Sequence, residues 1–391
     1  MILEKTGYSY NDLTIVPETV THIAHRSECN VYDQNGMLPL FTAPMSCIIN
    51  EHNYKIWEHY KINTIIPRTV PYKKRIQLLY NNRWVALSLE EFRKLFCYNL
   101  TQDIDESHKF KVCIDLANGH MQKLYDTIVE AKRISKCKGY SLTIMTGNIA
   151  NPYTYEYIIT SHVPIDYIRL SIGSGHVCLT SSNTGVHYPI GTLIDECAKI
   201  KHKYEVYYYD DLYTLPKIVA DGGIRNYKDI NIALALGADY VMVGSVFASI
   251  AESASPIYIN NYEKEIQLQS YIDDEIDAIG DENKMQHLDF VLKTLINSQT
   301  NPKKKFFGMS TPEAQAEINN ALEHPLEFSK KTSEGLAKMI DCKYTLRQWV
   351  ENFIDYLRSA MSYTDSPNIE WFSRYTNLII NSTQTVGSVN K

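Results

Sequence analysis

The sequence predicts a (β/α)8 TIM barrel with a segment inserted after the eighth strand and a C-terminal extension. Eight short apolar or β-branched runs recur along the chain with helical stretches between them, the alternation that builds a parallel sheet. Eight such units fit a closed barrel better than an open sheet. The last two runs end in Asp221-Gly222-Gly223 and Gly244-Ser245, small residues whose backbone N–H groups suit an anion at that place in a barrel. The competing fold, a doubly wound sheet, lacks its Gly-x-Gly-x-x-Gly turn after an early strand.

The strands follow in order. Pro39–Met45, Asn63–Pro67, Trp84–Ser88, Phe110–Asp115 and Ser141–Gly147 are the first five, Tyr167–Ile172 the sixth, Ile218–Ile224 the seventh and Tyr240–Ser245 the eighth. Between them, Met121–Ser135 carries Leu124, Ile128 and Ala131 at helical spacing, and Asp229–Leu236 reads as a helix stopped by Gly237. Polar residues at the strand ends (Ser46, Asp115, Asn148, Cys178, Asp221 and Ser245) would converge on one rim. One catalytic domain is expected over residues 1–376. Within it, 252–305 shows no strand and carries an acidic run, Asp273–Asp277 continuing to Asp281-Glu282, that reads as a solvated surface loop. Met285, Leu288, Val291, Leu292 and Leu295 have helical spacing and are expected to pack on the barrel, whereas 377–391 reads as a flexible tail.

Composition narrows the function. A formal charge of −6 argues against nucleic-acid binding. Eight dispersed cysteines without a CxxC pair fit a reducing compartment, with neither a disulfide framework nor a zinc site. With no signal-peptide pattern and no membrane-length apolar run, a soluble cytoplasmic protein is expected.

The chemistry concentrates at Gly173-Ser174-Gly175-His176-Val177-Cys178-Leu179-Thr180. Glycines there let the backbone bend sharply and approach a ligand, so the turn can present the Cys178 thiol at a strand end with the Thr180 hydroxyl nearby. The ordinary fate of such a cysteine is a small core hydrophobe.

Taken with Tyr10-Asn11-Asp12, Ala43-Pro44-Met45, Asp115-Leu116-Ala117-Asn118-Gly119, Asp221-Gly222-Gly223, Gly244-Ser245 and Gly308-Met309-Ser310, this loop resembles the IMP dehydrogenase/GMP reductase family over roughly residues 7–250 and again from near Lys305 to about Phe372. Three features resemble the GMP reductase side. Pro67–Phe110 is too short for the regulatory pair of modules usual in the dehydrogenases, Asn183–Pro189 resembles the reductase loop, and Lys331-Thr332-Ser333-Glu334-Gly335 resembles the reductase's Ser-Glu-Gly element.

The resemblance implies NADPH-dependent reductive deamination of GMP, or a related purine nucleotide, to IMP and ammonia. Cys178 would form a covalent thioimidate, with Thr180 and Glu334 as the proton relay. Without the resemblance, Glu334 reads as an exposed helix-capping carboxylate and Thr180 equally well as a cap. Substrate would meet Met45, Asp221, Gly222, Gly223, Gly244, Ser245, Gly308, Met309, Ser310, Lys331, Ser333 and Gly335. Cofactor would meet Asp115, Asn118 and Gly119, with Arg26, Ser359 and Ser362 reaching it from a neighbouring subunit of a homotetramer. The carbonyls of Gly173, Gly175 and Cys178 match the family's K+ site.

The sequence departs from the family pattern at His176, Ser181, Ser46 and Phe306, where a serine, an arginine, an aspartate and a tyrosine are usual. These changes fit either an altered nucleotide, such as a deoxy or modified purine nucleotide with His176 as a replacement anion contact, or drift in a divergent homologue. An IMP dehydrogenase-like enzyme using NAD, and a non-catalytic nucleotide-binding barrel, are the competing functions.

Overall fold

All eight apolar runs form strands in the computed structural model, which describes residues 6–99, 108–174, 180–208, 214–259, 262–266, 268–298, 301–322 and 335–381. The barrel strands are β1 (Leu40–Thr42), β2 (Ile65–Ile66), β3 (Trp84–Leu87), β4 (Lys109–Ile114), β5 (Ser141–Ile149), β6 (Tyr167–Leu170), β7 (Lys217–Asp221) and β8 (Tyr240–Val243). They are parallel in the order β1-β8-β7-β6-β5-β4-β3-β2. A bridge between Phe41 and Asn63 joins the two ends: Asn63 N–H donates to Leu40 O at 3.1 Å and Thr42 N–H to Asn63 O at 2.9 Å. The expected helices run over Gln122–Lys138 and Tyr227–Ala235, the first closed by a left-handed Gly139 and the second opened by the Asn226 side chain.

Aromatic residues at or near the starts of strands fill the amino-terminal end of the barrel. Phe41, Trp84, Tyr167 and Tyr240 pack with ring centroids 5.2–5.9 Å apart, a spacing at which each pair adds about 0.5–1.5 kcal/mol beyond its burial. Lys217 places its ammonium over Tyr167 and Tyr240. This apolar plug leaves the polar residues to the opposite, carboxyl-terminal rim.

The region after β8 differs from the sequence expectation. Residues 252–305 do contain strands: β9 (Ile257–Ile259) and β10 (Tyr262–Ile266) form an antiparallel sheet with β11 (Lys303–Phe307) and β12 (Ala337–Asp341). The basic run in β11 hides this pattern, because Lys304 and Phe306 point inward while their neighbours point out. Lys304 is fully buried and its ammonium donates to Ala251 O at 2.8 Å and Ser253 O at 2.9 Å, which fastens the sheet to the end of the barrel. The acidic run is helical (Leu268–Ala278) rather than a loop, and Glu275 is turned inward at 1% exposure. The following helix, Glu282–Ile296, places Leu292 in a satellite cluster with Ala251, Ile257 and Cys342, so it serves the added sheet instead of the barrel core. Part of the segment expected to be a flexible tail is paired, because Leu378–Ile380 runs antiparallel to Leu13–Ile15; residues 382–391 lie outside the described residues.

The helix Leu346–Tyr363, capped by Thr345, buries Trp349, Phe353, Leu357 and Met361 at four-residue spacing against the main core. No helix among the described residues is long and apolar enough to cross a membrane.

Candidate active site

The carboxyl ends of β1, β4, β7 and β8 surround a cavity of about 380 Å³. Of the expected site residues, Met45, Asp115, Asp221, Gly222, Gly223, Gly244, Ser245, Gly308, Met309 and Ser310 all line it. The wall opposite the barrel comes from the added sheet: the turn Gly308–Ser310 leaves β11, with Thr311 N–H donating back to Gly308 O at 3.1 Å and Gln315 donating to Met309 O at 2.6 Å. Gly335 lies against this turn. A Cβ there would stand 2.8 Å from Ser310 Oγ and 2.9 Å from Thr311 N, so only glycine permits the approach. Met45 covers Gly244, and a Cβ on Gly244 would lie 3.7 Å from its sulfur.

The floor is ionic. Arg169 sits in β6 and is 8% exposed; its Nε donates to Asp221 Oδ2 at 3.0 Å and its Nη1 to Asp115 Oδ1 at 3.1 Å. Two flanking carboxylates outweigh the burial penalty and hold the guanidinium charged. Asn148 also donates to Asp221 Oδ2 at 2.7 Å, so these bonds leave Oδ1 of Asp221 uninvolved at the cavity wall. Gly147 (φ +136°) makes this possible: a Cβ there would be 2.5 Å from Arg169 O. Tyr10 is buried beneath Gly223, its phenol pushed up by burial and by Asp229 and Asp221.

Arg169, Asn148 and Arg68 were not among the expected site residues. Arg169 had a visible signal, a charge inside the apolar run Tyr167–Ile172. Asn148 was placed on the rim without a role. Arg68 follows Pro67 and carried no signal; it lines the cavity, and its buried Nε has no hydrogen-bond partner among the described residues.

The remaining expectations divide. Asn118 and Gly119 stand beside the cavity without lining it: Asn118 Oδ1 accepts from His120 N–H at 3.0 Å, and Gly119 N–H donates to Asn148 O at 2.9 Å. Arg26 donates to Ser359 at 3.2 Å and Asp355 at 3.1 Å, and the Ser362 hydroxyl donates to Ser359 O; none of these residues lines the cavity. Cys178, Glu334, Lys331, Ser333, Gly175 and His176 lie outside the described residues, whereas Thr180 opens the short helix Thr180–Thr184. Gly173 has φ +74° and its carbonyl accepts from Ser181 Oγ at 2.9 Å; Ser46 donates to Glu317 at 2.9 Å; Phe306 is buried at the cavity. Among the described residues no group of three or more His, Cys, Asp or Glu is arranged to hold a metal ion.

The described cysteines include no reactive thiol at the cavity. Cys113, 3.4 Å from Arg169 Nη1, is pushed up to about 12 by burial despite that cation, as is Cys47 beneath Phe307.

This architecture defines a (β/α)8 barrel whose ligand cavity opens at the carboxyl ends of its strands. The IMP dehydrogenase / GMP reductase domain family matches residues 101–271. The chain is 29% identical over 268 residues to inosine-5'-monophosphate dehydrogenase of Chlorobaculum parvum, covering 68% of this chain and 44% of that protein. It is 32% identical over 153 residues to human GMP reductase 1, covering 39% and 40% respectively, and 25% identical over 274 residues to GMP reductase of Onchocerca volvulus, covering 70% and 59%. Over residues 101–271 the chain is similar to IMP dehydrogenase / GMP reductase domains. It spans less than two thirds of the length of each of these relatives.

Proposed function

We propose that the chain catalyses NADPH-dependent reductive deamination of GMP, or a closely related purine nucleotide, to IMP and ammonia. The observation that supports this reading most is the convergence of ten site residues, far apart in sequence, on one cavity at the carboxyl rim. Asp221, with Oδ2 held by Arg169 and Asn148, would offer Oδ1 to the ribose diol. The amides of Gly222, Gly223, Gly244 and Ser245 would cradle the 5′-phosphate, and Met45 and Met309 would face the purine.

Cys178 thiolate would add to C2 of the base. The exocyclic amine, protonated through Thr180 and Glu334, would leave as ammonia, giving a thioimidate. The reduced nicotinamide, when bound, supplies the hydride that completes C2–H as the C–S bond breaks and the thiolate returns. The Asp115 side of the cavity fits such a group, since Arg68 Nε there, without a partner among the described residues, is a buried donor suited to a polar acceptor. In a homotetramer, Arg26, Ser359 and Ser362 would serve a neighbouring site. K+ on the carbonyls of Gly173, Gly175 and Cys178 would share the Gly173 oxygen with the Ser181 hydroxyl.

Parallel steady-state assays with GMP plus NADPH and with IMP plus NAD test the direction. Turnover of the second pair alone would replace this reading with a dehydrogenase. Mass spectrometry should find the purine adduct on Cys178, and Cys178→Ala should lose turnover while keeping nucleotide affinity within about twofold, since the ribose and phosphate contacts supply ground-state binding. Retained turnover in that variant would overturn the mechanism.

A further inference from the structure

A second cavity, of about 1050 Å³, lies behind the phosphate cradle, between the helix Tyr227–Ala235, strand β12 and the helix Leu346–Tyr363. It meets the catalytic cavity at Ser245, which lines both. Its charge opposes that of the whole chain. Arg225, Lys228, Lys338 and Lys343 line it without a salt bridge among the described residues, and the further cation, Lys303, is neutralised by Asp341 at 2.9 Å. Asp229 lies within electrostatic reach of Arg225 and Lys228, and Asp341 of Lys303 and Lys343, so five cations face two carboxylates and the cleft keeps a positive excess suited to a polyphosphate.

Two features select against a bare anion. Tyr356 is 54% exposed at the cleft, held at 5.1 Å from the Tyr227 ring, and offers a flat apolar face. Asn231, at 8% exposure, also lines the cleft, and its Oδ1 has no hydrogen-bond partner among the described residues. An acceptor left over beside the cleft suits a ligand that carries donors as well as negative charge. Nucleobase amines and ribose hydroxyls supply those donors; an inorganic polyphosphate at neutral pH does not.

We propose that this cleft is a second nucleotide site, which takes a nucleoside triphosphate with its phosphates among Lys228, Lys338 and Lys343 and its base on Tyr356. Because the site shares Ser245 with the phosphate cradle, its occupant would alter binding in the catalytic cavity. The assignment is independent of which reaction runs there.

Isothermal titration of the full chain with ATP and, separately, with tripolyphosphate tests it. ATP should bind, and the charge reversals Lys228→Glu and Lys343→Glu together should weaken it about tenfold or more. Both lysines are exposed, so unchanged thermal melting will show that the variant folds. Asp221→Asn, in the catalytic cavity, should leave ATP affinity within about twofold. Tyr356→Ala should weaken ATP and not tripolyphosphate. Absence of ATP binding at about 1 mM, equal affinity in the double reversal, or loss in Asp221→Asn instead would overturn the proposal. Tripolyphosphate binding as tightly as ATP would replace the nucleotide with a simple polyanion.

Discussion

Replacing Arg169 with methionine should be among the most damaging single changes in the barrel. The guanidinium is enclosed by β4–β7 and meets Asp115 and Asp221 at 3.1 and 3.0 Å, with side-chain exposures of 18% and 15% for the two acids. At an effective dielectric near 20, each contact is worth about 5 kcal/mol before desolvation, which offsets much of it. Methionine fills most of the volume but leaves two largely buried carboxylates facing each other without a counter-charge. Breaking buried pairs from one side costs about 3–5 kcal/mol. Urea denaturation should show that loss as a fall in midpoint with an unchanged slope. Adding Asp115→Asn to the methionine variant removes one stranded charge and should restore at least about 1 kcal/mol. Asp221 also loses its clamp, so kcat/KM for the nucleotide should fall more than tenfold in both variants. A loss below about 1 kcal/mol for Arg169→Met, or no recovery in the double variant, would refute the ionic floor as a structural element.

Three further outcomes follow from other contacts. Gly147→Ala drives a Cβ to 2.5 Å from Arg169 O at φ +136°; it should cost about 3 kcal/mol or more and impair activity with it, read by the same denaturation. Gly335→Ala should push the Met309-Ser310 turn into the cavity, raising KM for the nucleotide with little change in melting temperature; an unchanged KM would count against a wall set by that turn. The carboxyl of Glu252 is pushed up to about 7 by burial, and that of Glu275 well above its ordinary value by burial and by Glu252 and Asp289, with Lys304, Tyr60 and Arg347 also facing this group. The native state therefore holds protons that the unfolded chain releases above about 4.5, so this part of the stability is present below pH 4.5 and declines as pH rises through about 7. Glu275→Gln should raise the melting temperature more at pH 8 than at pH 5; an equal shift at both would contradict the buried acid.

The barrel was legible because its strands are short runs bounded by Pro, Gly and polar residues, and a parallel strand buried on both faces announces itself as an apolar run. The rim was legible for a similar reason: Asp221-Gly222-Gly223 and Gly244-Ser245 are small and polar directly after such runs. What the sequence concealed depends on partners distant in the chain. Lys303-Lys304-Lys305 shows no strand pattern until the carbonyls of Ala251 and Ser253 take the middle ammonium. Asp273–Asp277 reads as a solvated loop until Glu275 is seen to be buried in a helix, within electrostatic reach of Glu252 and Asp289. Arg169 gave its signal openly, but its meaning required Asp115 and Asp221 from strands two and one places away in the sheet.

The cavity is walled by two pieces of protein joined through Lys304: a closed barrel that supplies the ionic floor and the glycine cradle, and an appended antiparallel sheet with the turn that follows it, which supply Phe306, Met309 and Ser310. The barrel's closure hydrogen bonds run between Leu40, Thr42 and Asn63 and involve none of the appended residues. Selection can therefore rewrite one wall while the other stays under the constraint of folding. Edits confined to 303–322 would reshape that wall of the cavity and leave the hydrogen bonds that close the barrel untouched.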